Sequence, residues 1–423
     1  MIRKITGILM SAILILIIIQ SCQFGDNKSV RKDVPFNVDS INEELNKIDV
    51  SIHTDLKKIK IPSNLTGSID LSKIIDSIHY VALEKTENSL IGKIDKVIYH
   101  DNLLFIVDVL TSKSVFIFTE DGKYVNKISN VGRGPEEYTY PEFVSINDTQ
   151  KTIEITDHTL HKVFIYDYKG NFKNSIDLGI RFNKYYRLPS GDICIDSYNR
   201  LNDQWSQLQN YRLFLTDSLF KPKYLALPYD YSKVMKSAYA TANFFSENQG
   251  NPLFIEPLND SIFMYSSKGL QLRYLLNFED FNTPDDNLNS FQEYYKEYGN
   301  NKNYALFLGK LYKVKNTLFI NLVHQGKNAL VFFNEKHESI LYGSLTDMEN
   351  IKNATYFVPP ISTTSDSFIS VLQAPDLASL SEAWKNNEDI MKFRNVETIE
   401  FVSKINKNDN PVLMFTKLKD KWE

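Results

Sequence analysis

LLFIVDVLTSKSVFIFTEDGKYVNKI, residues 103–128, recurs one residue shorter as TIEITDHTLHKVFIYDYKGNFKNSI, residues 152–176. The match sets Val115 on Val163, Phe118 on Tyr166 and Gly122 on Gly170. Each copy consists of short runs of β-branched and aromatic residues broken by polar turns, with a glycine in the second turn. Such a unit carries apolar side chains on both faces and buries them only by stacking on neighbouring units. The self-similarity therefore points to an all-β repeat fold.

Working outward, each copy is preceded by a leading strand, at 94–99 and 143–146, and four further strand–turn–strand groups follow with weaker patterning. Six units of roughly 60 residues each fill the chain from Ile69 onward, longer than the common blade of about 45 residues, which leaves room for inserts. Helical inserts are expected at 290–298 and 377–393, and strands near 398–402 and 411–416. A ring of sheets must close, because an open end leaves strand edges bare. The spare strand Ile78-His79-Tyr80-Val81-Ala82-Leu83 is placed to complete the last sheet. The fold class read from the chain is thus an all-β, six-bladed β-propeller over residues 67–423, with its N-terminal strand closing the last blade and small helical inserts.

Ahead of this body, Arg3 and Lys4 precede an apolar run at 5–19 too short to span a bilayer, which reads as a signal peptide over 1–21. The run ends Ile19-Gln20-Ser21-Cys22 and resembles the bacterial lipobox, except at Gln20. Lipidation is expected at Cys22; acyl anchoring contributes about 0.8 kcal/mol per buried methylene. An ordinary cleaved signal peptide is the alternative. Residues 22–66, rich in Asn, Asp, Ser and Lys, read as a tether, with a short helix possible at 41–48. Cys194 is the sole other cysteine, so no intramolecular disulfide is expected of the mature chain, and its alternating context suggests a buried thiol. A net charge of −4 with both signs interspersed argues against a nucleic-acid partner.

Three motifs carry a family resemblance: Tyr80-Val81-Ala82-Leu83-Glu84, Gly132-Arg133-Gly134-Pro135-Glu136-Glu137-Tyr138 and Asn410-Pro411-Val412-Leu413. Together with the first repeat they resemble the NHL repeat, and most closely the six-bladed β-propeller lipoproteins of Bacteroidetes. The resemblance spans residues 69–420, with specific motifs in the first two blades and pattern alone beyond them. It implies an anchored propeller in the cell envelope, periplasmic or surface-displayed, and supplies no reaction.

Turns alternate between the two ends of a blade, which puts 132–138, 108–114 and 157–162 on one rim. Arg133, Glu136, Glu137 and Tyr138, with Asp108 and Asp157, are the candidate ligand-binding residues there; Arg133 offers a planar fork for carboxylate or sulfate. The alternative is that this glycine-rich loop only shapes the passage between blades. Glu136 and Glu137 form an acid–base pair only with difficulty, since glycosidase carboxylates face each other across the bond at about 5–9 Å. His158 and His161 would supply two metal ligands where three or four are needed, so no metal is expected. Trp205 is a candidate sugar-stacking aromatic, and the amphipathic stretch 291–298 is expected to pack against the propeller rim, with a partner-binding lid as the alternative. No nucleophile elbow or phosphate loop occurs, and no cofactor is expected.

The leading functional expectation is a non-enzymatic binding or scaffold module for a peptide, glycan or envelope protein, held at the membrane by its anchor. The second is a lyase or hydrolase at the channel mouth, with or without an assisting metal, which would be favoured by at least three inward His, Asp or Glu side chains with a bound divalent metal. A purely structural envelope component is the third.

Overall fold

The computed structural model describes residues 45–65, 69–197, 202, 205–228, 245–246, 251–257, 259–278, 305–344, 357–385 and 395–422. Its first strands are β1 (Asn46–Lys47), β2 (Ser51–Lys60) and β3 (Ile75–Ala82). Blade one follows with β4 (Lys96–His100), β5 (Leu103–Asp108), β6 (Ser114–Thr119) and β7 (Tyr124–Ile128); blade two has β8 (Phe143–Asn147), β9 (Thr152–Asp157), β10 (Lys162–Asp167) and β11 (Phe172–Asp177). Blade three has β12 (Lys184–Arg187), β13 (Ile193–Asp196), β14 (Tyr211–Thr216) and β15 (Pro222–Pro228). Blade four has β16 (Phe245–Ser246), β17 (Leu253–Phe254), β18 (Ser261–Ser266) and β19 (Gly269–Asn277). Blade five comprises β20 (Ala305–Val314), β21 (Thr317–His324), β22 (Lys327–Asn334) and β23 (Ser339–Ser344), and blade six β24 (Ser362–Thr363), β25 (Ser367–Leu372) and β26 (Val412–Leu418).

These strands form six antiparallel meanders, a six-bladed propeller. The first strands of successive blades touch one another, β8 with β12, β12 with β16, β16 with β20, β20 with β24 and β24 with β4, so they surround a common axis. Blade six is closed by β3, which pairs antiparallel with β26 and sets Val81 opposite Leu413. The expected clasp is present.

The core lies between blades. Phe105, Val115 and Ile117 of blade one bury against Val144, Ile153 and Phe164 of blade two. Leu311, Ile320 and Val331 of blade five meet Leu253, Ile262 and Tyr274 of blade four. Each such side chain contributes about 1.5–3 kcal/mol on burial, and alternation along every strand supplies both neighbours at once.

Three expectations are corrected. The proposed tether is partly folded: β1 adds in parallel to the outer edge of β15, and β2 to that of β19. Ile59 and Ile61 then enter the core, which a linker reading of this polar stretch does not foresee. Residues 398–402 are not a strand but part of a helix, α2 (Val396–Ser403), which follows α1 (Ala374–Lys385). The Asn395 side chain accepts from the Thr398 amide as an N-cap, and Thr398 and Val402, one turn apart, form the buried face. Position 41, where the short helix was expected to begin, and the insert at 290–298 lie outside the described residues; Asn46–Lys47, within the helix range, is strand.

Candidate functional site

The two repeated aspartates end the second strands of blades one and two, and both are fully buried. One Asp108 oxygen accepts from the Thr111 amide at 2.9 Å, within its own turn. The other accepts from Gly92 at 3.0 Å and Lys93 at 3.1 Å, on the segment entering blade one. Asp157 repeats the device: Thr159 and Leu160 amides donate to one oxygen at 2.8 and 2.9 Å, and Thr139 and Tyr140 amides donate to the other. Blade three uses Asn202 instead, accepting from the Arg181 amide at 2.7 Å. Each carboxylate therefore staples a turn between second and third strands to the incoming connection of the same blade, and its capacity for a ligand is taken up by main-chain donors.

Tyr138 is likewise internal. Its hydroxyl lies 2.9 Å from the carbonyl oxygens of both Lys113 and Ile128, and burial raises its pKa well above the ordinary phenol value. This bond joins the loop at 130–138 to the turn at 109–113, confirming that the two share a rim. The loop is braced further by Gly132 N–H to Tyr138 O at 2.9 Å, Tyr138 N–H to Asn130 O at 3.0 Å and Glu137 N–H to Gly134 O at 3.1 Å. The Glu137 carboxylate folds back to accept from the Gly134 amide at 2.8 Å. A Cβ on Gly132 would collide with that carboxylate, which explains the glycine.

What the loop leaves outward is Val131, Arg133, Pro135 and Glu136, all exposed. Val131 is 41% exposed, and a second apolar side chain, Leu110 at 48%, joins the group on this rim. Of the six residues expected to bind, Arg133 and Glu136 thus present free tips, Glu137 is half-committed, and Tyr138, Asp108 and Asp157 hold the scaffold.

The other candidates resolve individually. Trp205 is buried, with its indole N–H donating to Gly179 O at 2.7 Å, so it is no exposed stacking platform. His158 packs edge-on against Phe182. Cys194 is a buried thiol whose pKa burial pushes up. Among the described residues, His100, Asp101 and Asp148 are the one group able to converge on a metal, within 4.8 Å of one another. His100 ends β4, and Asp101 and Asp148 sit in the turns after β4 and β8, on the opposite rim, where Lys151 reaches Asp101 at 2.7 Å and Asp148 at 2.6 Å.

The amino-acid sequence matches a known family over residues 56–417, that of a domain of unknown function, DUF4934. The chain belongs to the DUF4934 family. No curated protein matches it. Among solved structures, the fold is similar to an exported protein of Bacteroides fragilis, with a TM-score of 0.70 and 16% identity over 86% of this chain and 100% of that one. A DUF4221 family member from Bacteroides vulgatus aligns with a TM-score of 0.47 and 10% identity over 82% of this chain and 97% of that one.

Within this DUF4934 chain, sequence reasoning missed the exposed apolar pair Leu110 and Val131, because single apolar residues in turns are common. It also missed two lysines that open the first strands of blades one and three, Lys96 and Lys184, visible only once the blades are in register.

Proposed function

We propose that this DUF4934 chain is a binding or scaffold module of the cell envelope that engages a peptide, glycan or envelope protein through the rim carrying the 130–138 loop. One observation carries the reading: a loop pinned by main-chain and side-chain hydrogen bonds exposes Val131, Arg133, Pro135 and Glu136 beside Leu110. Preorganised loops bind with a smaller ordering cost, and an exposed mixture of apolar, cationic and anionic tips is the makeup of a recognition surface. The leader, with lipidation at Cys22, and the exported character of the Bacteroides fragilis relative support placement in the envelope, anchored to the membrane.

The test is site-specific photocross-linking of the full chain in cells. A benzophenone side chain at Arg133 is expected to yield a discrete adduct, while one at Leu219, an exposed residue of a turn on the opposite rim, yields none. Adducts from Leu219 alone, or from neither site, would refute the rim as the contact surface.

A further inference from the structure

The first two strands form a strap that joins two blades from outside. β1 runs parallel to β15 with Asn46 beside Tyr224, and the Ile48 amide donates to the Leu225 carbonyl at 2.8 Å. Ile48 then packs between blades, against Leu213 and Ala226 of blade three and Phe254 and Leu270 of blade four. Further on, β2 sets Ser51 beside Gln271 and Ile52 beside Leu272 on blade four. The chain from Asn46 to Ser51 spans at most about 18 Å, so the two registers are neighbours. Tyr224 and Gln271 lie near the starts of β15 and β19, just past the turns that join third to fourth strands. The strap therefore crosses at the end of the blades opposite the 130–138 loop.

Four apolar side chains are exposed around this crossing: Val50, Ile52, Leu219 and Tyr224. Among the described residues nine large apolar side chains are exposed, so nearly half gather at the outer ends of two blades out of six. Ile52 at 70% and Leu219 at 64% are more open than Leu110 or Val131. Leu219 is also held outward by a structured turn. Its amide donates to the Asp217 carboxylate at 2.9 Å, while the next residue, Phe220, turns inward and stacks on Phe182 in the core between blades two and three. Exposed apolar residues are ordinary singly, but gathered on one face they mark a contact surface.

We propose that this corner of the propeller rests on the lipid surface to which the chain is anchored, with Val50, Ile52, Leu219 and Tyr224 entering the headgroup layer. The proposal rests on the Cys22 anchor of the functional reading and is independent of the rim contact. Where the chain enters the fold selects the occupant. Leu45 lies 23 residues after Cys22 and packs against the core between blades two and three, directly before Asn46 pairs beside Tyr224. A surface placed beside its own tether meets the bilayer at high effective concentration, so modest affinity suffices. Aliphatic tips and a tyrosine are side chains that settle at a lipid interface. The surrounding charge does not repel anionic headgroups: Lys47, Lys221, Lys223 and Lys268 stand against Asp49, Asp192 and Asp217, in a chain of net charge −4. Lys223 pairs with Asp192 at 2.9 Å and Lys47 lies 5.9 Å from the centre of the Tyr211 ring, and both stay cationic in those contacts. In this orientation the 130–138 rim faces away from the bilayer, open to its own partner.

The test uses the full chain reconstituted in vesicles of phosphatidylethanolamine and phosphatidylglycerol with brominated acyl chains. Bimane is attached at Ile52→Cys, at Leu219→Cys or, on the loop rim, at Leu110→Cys; Cys194 is buried and stays unlabelled. Bromolipid is expected to quench the label at 52 and at 219 several-fold more than at 110. Quenching at 52 or at 219 no greater than at 110 would overturn the proposal, and disulfide pairing of two copies through Ile52→Cys without quenching would assign the patch to self-association instead. The anchor is read separately by flotation of the Cys22→Ser chain. Flotation equal to that of the parent would refute acylation at Cys22, while quenching still decides the patch. The Cys22→Ser chain should keep weak vesicle binding that falls about tenfold or more with Ile52→Asp and Leu219→Asp together, at unchanged melting temperature. Cross-linking from Arg133 should persist in that double variant, which keeps failure of the rim apart from failure of the patch. A lipid neighbour adds no protein to a Leu219 cross-link, so that control is unaffected.

Discussion

The hydroxyl of Tyr166, buried in blade two, donates at 2.8 Å to the main-chain carbonyl of Glu136 at the exposed tip of the rim loop. A core side chain thereby sets the position of a surface residue. Tyr166→Phe keeps the packing and removes this one bond. Its expected cost is about 1 kcal/mol of global stability. The sharper effect is local: faster amide exchange across 134–138, with the remaining blades unchanged.

Removing a turn staple should act on folding. Asp157→Ala strands several main-chain donors on both the 157–160 turn and the entry to blade two. A loss of about 1–3 kcal/mol or more is expected in urea unfolding. A variant as stable as the parent would show that the aspartate is not needed to hold the rim.

Between blades three and four, Arg212 is fully buried and pairs with Asp196 at 3.0 Å and with Glu256. Burial raises the Asp196 pKa above the ordinary carboxylate value, while Arg212 opposes that rise. Arg212→Ala leaves a buried acid without its cation and is expected to cost about 3–5 kcal/mol. The double change Asp196→Leu with Arg212→Met should lose less than the single one, which a two-by-two comparison of unfolding free energies reads directly.

Acid stability has a contributor in His324, fully buried at the end of β21 and hydrogen-bonded to the Tyr342 hydroxyl. Burial pushes its pKa from 6.5 down to about 4. The unfolded chain therefore takes up the proton first, so the contribution is whole above pH 6.5 and is lost as pH falls toward 4. The slope from one such group is at most about 1.4 kcal/mol per pH unit. His324→Phe should flatten the stability profile in that window, whatever its effect at neutral pH.

Much of this architecture was legible before any coordinates. The Val115–Val163 match and the Tyr80-Val81 strand anticipate two blades and the clasp, because alternation and closure are properties of short-range pattern and topology. Residues 51–60 resemble a tether in sequence because β2 lies on an outer edge, mostly exposed, and an edge strand shows no clean alternation. Thr398-Ile399-Glu400-Phe401-Val402 looks like a strand by residue type, and only the Asn395 cap and the one-turn spacing of Thr398 and Val402 reveal the helix. At the rim the loop was identified, but not the division of labour within it. Whether an Asp faces a ligand or a backbone amide depends on which segments converge, and one sequence does not record that.

Hydrogen–deuterium exchange of the full chain, with and without solubilised envelope from the cells that make it, tests the central claim that the rim of the 130–138 loop is the contact surface. The expected result is slowed exchange at 109–113 and 130–138, with the opposite-rim turns at 119–123 and 167–171 unaffected. Slowing confined to those opposite turns, with 130–138 unchanged, would contradict it.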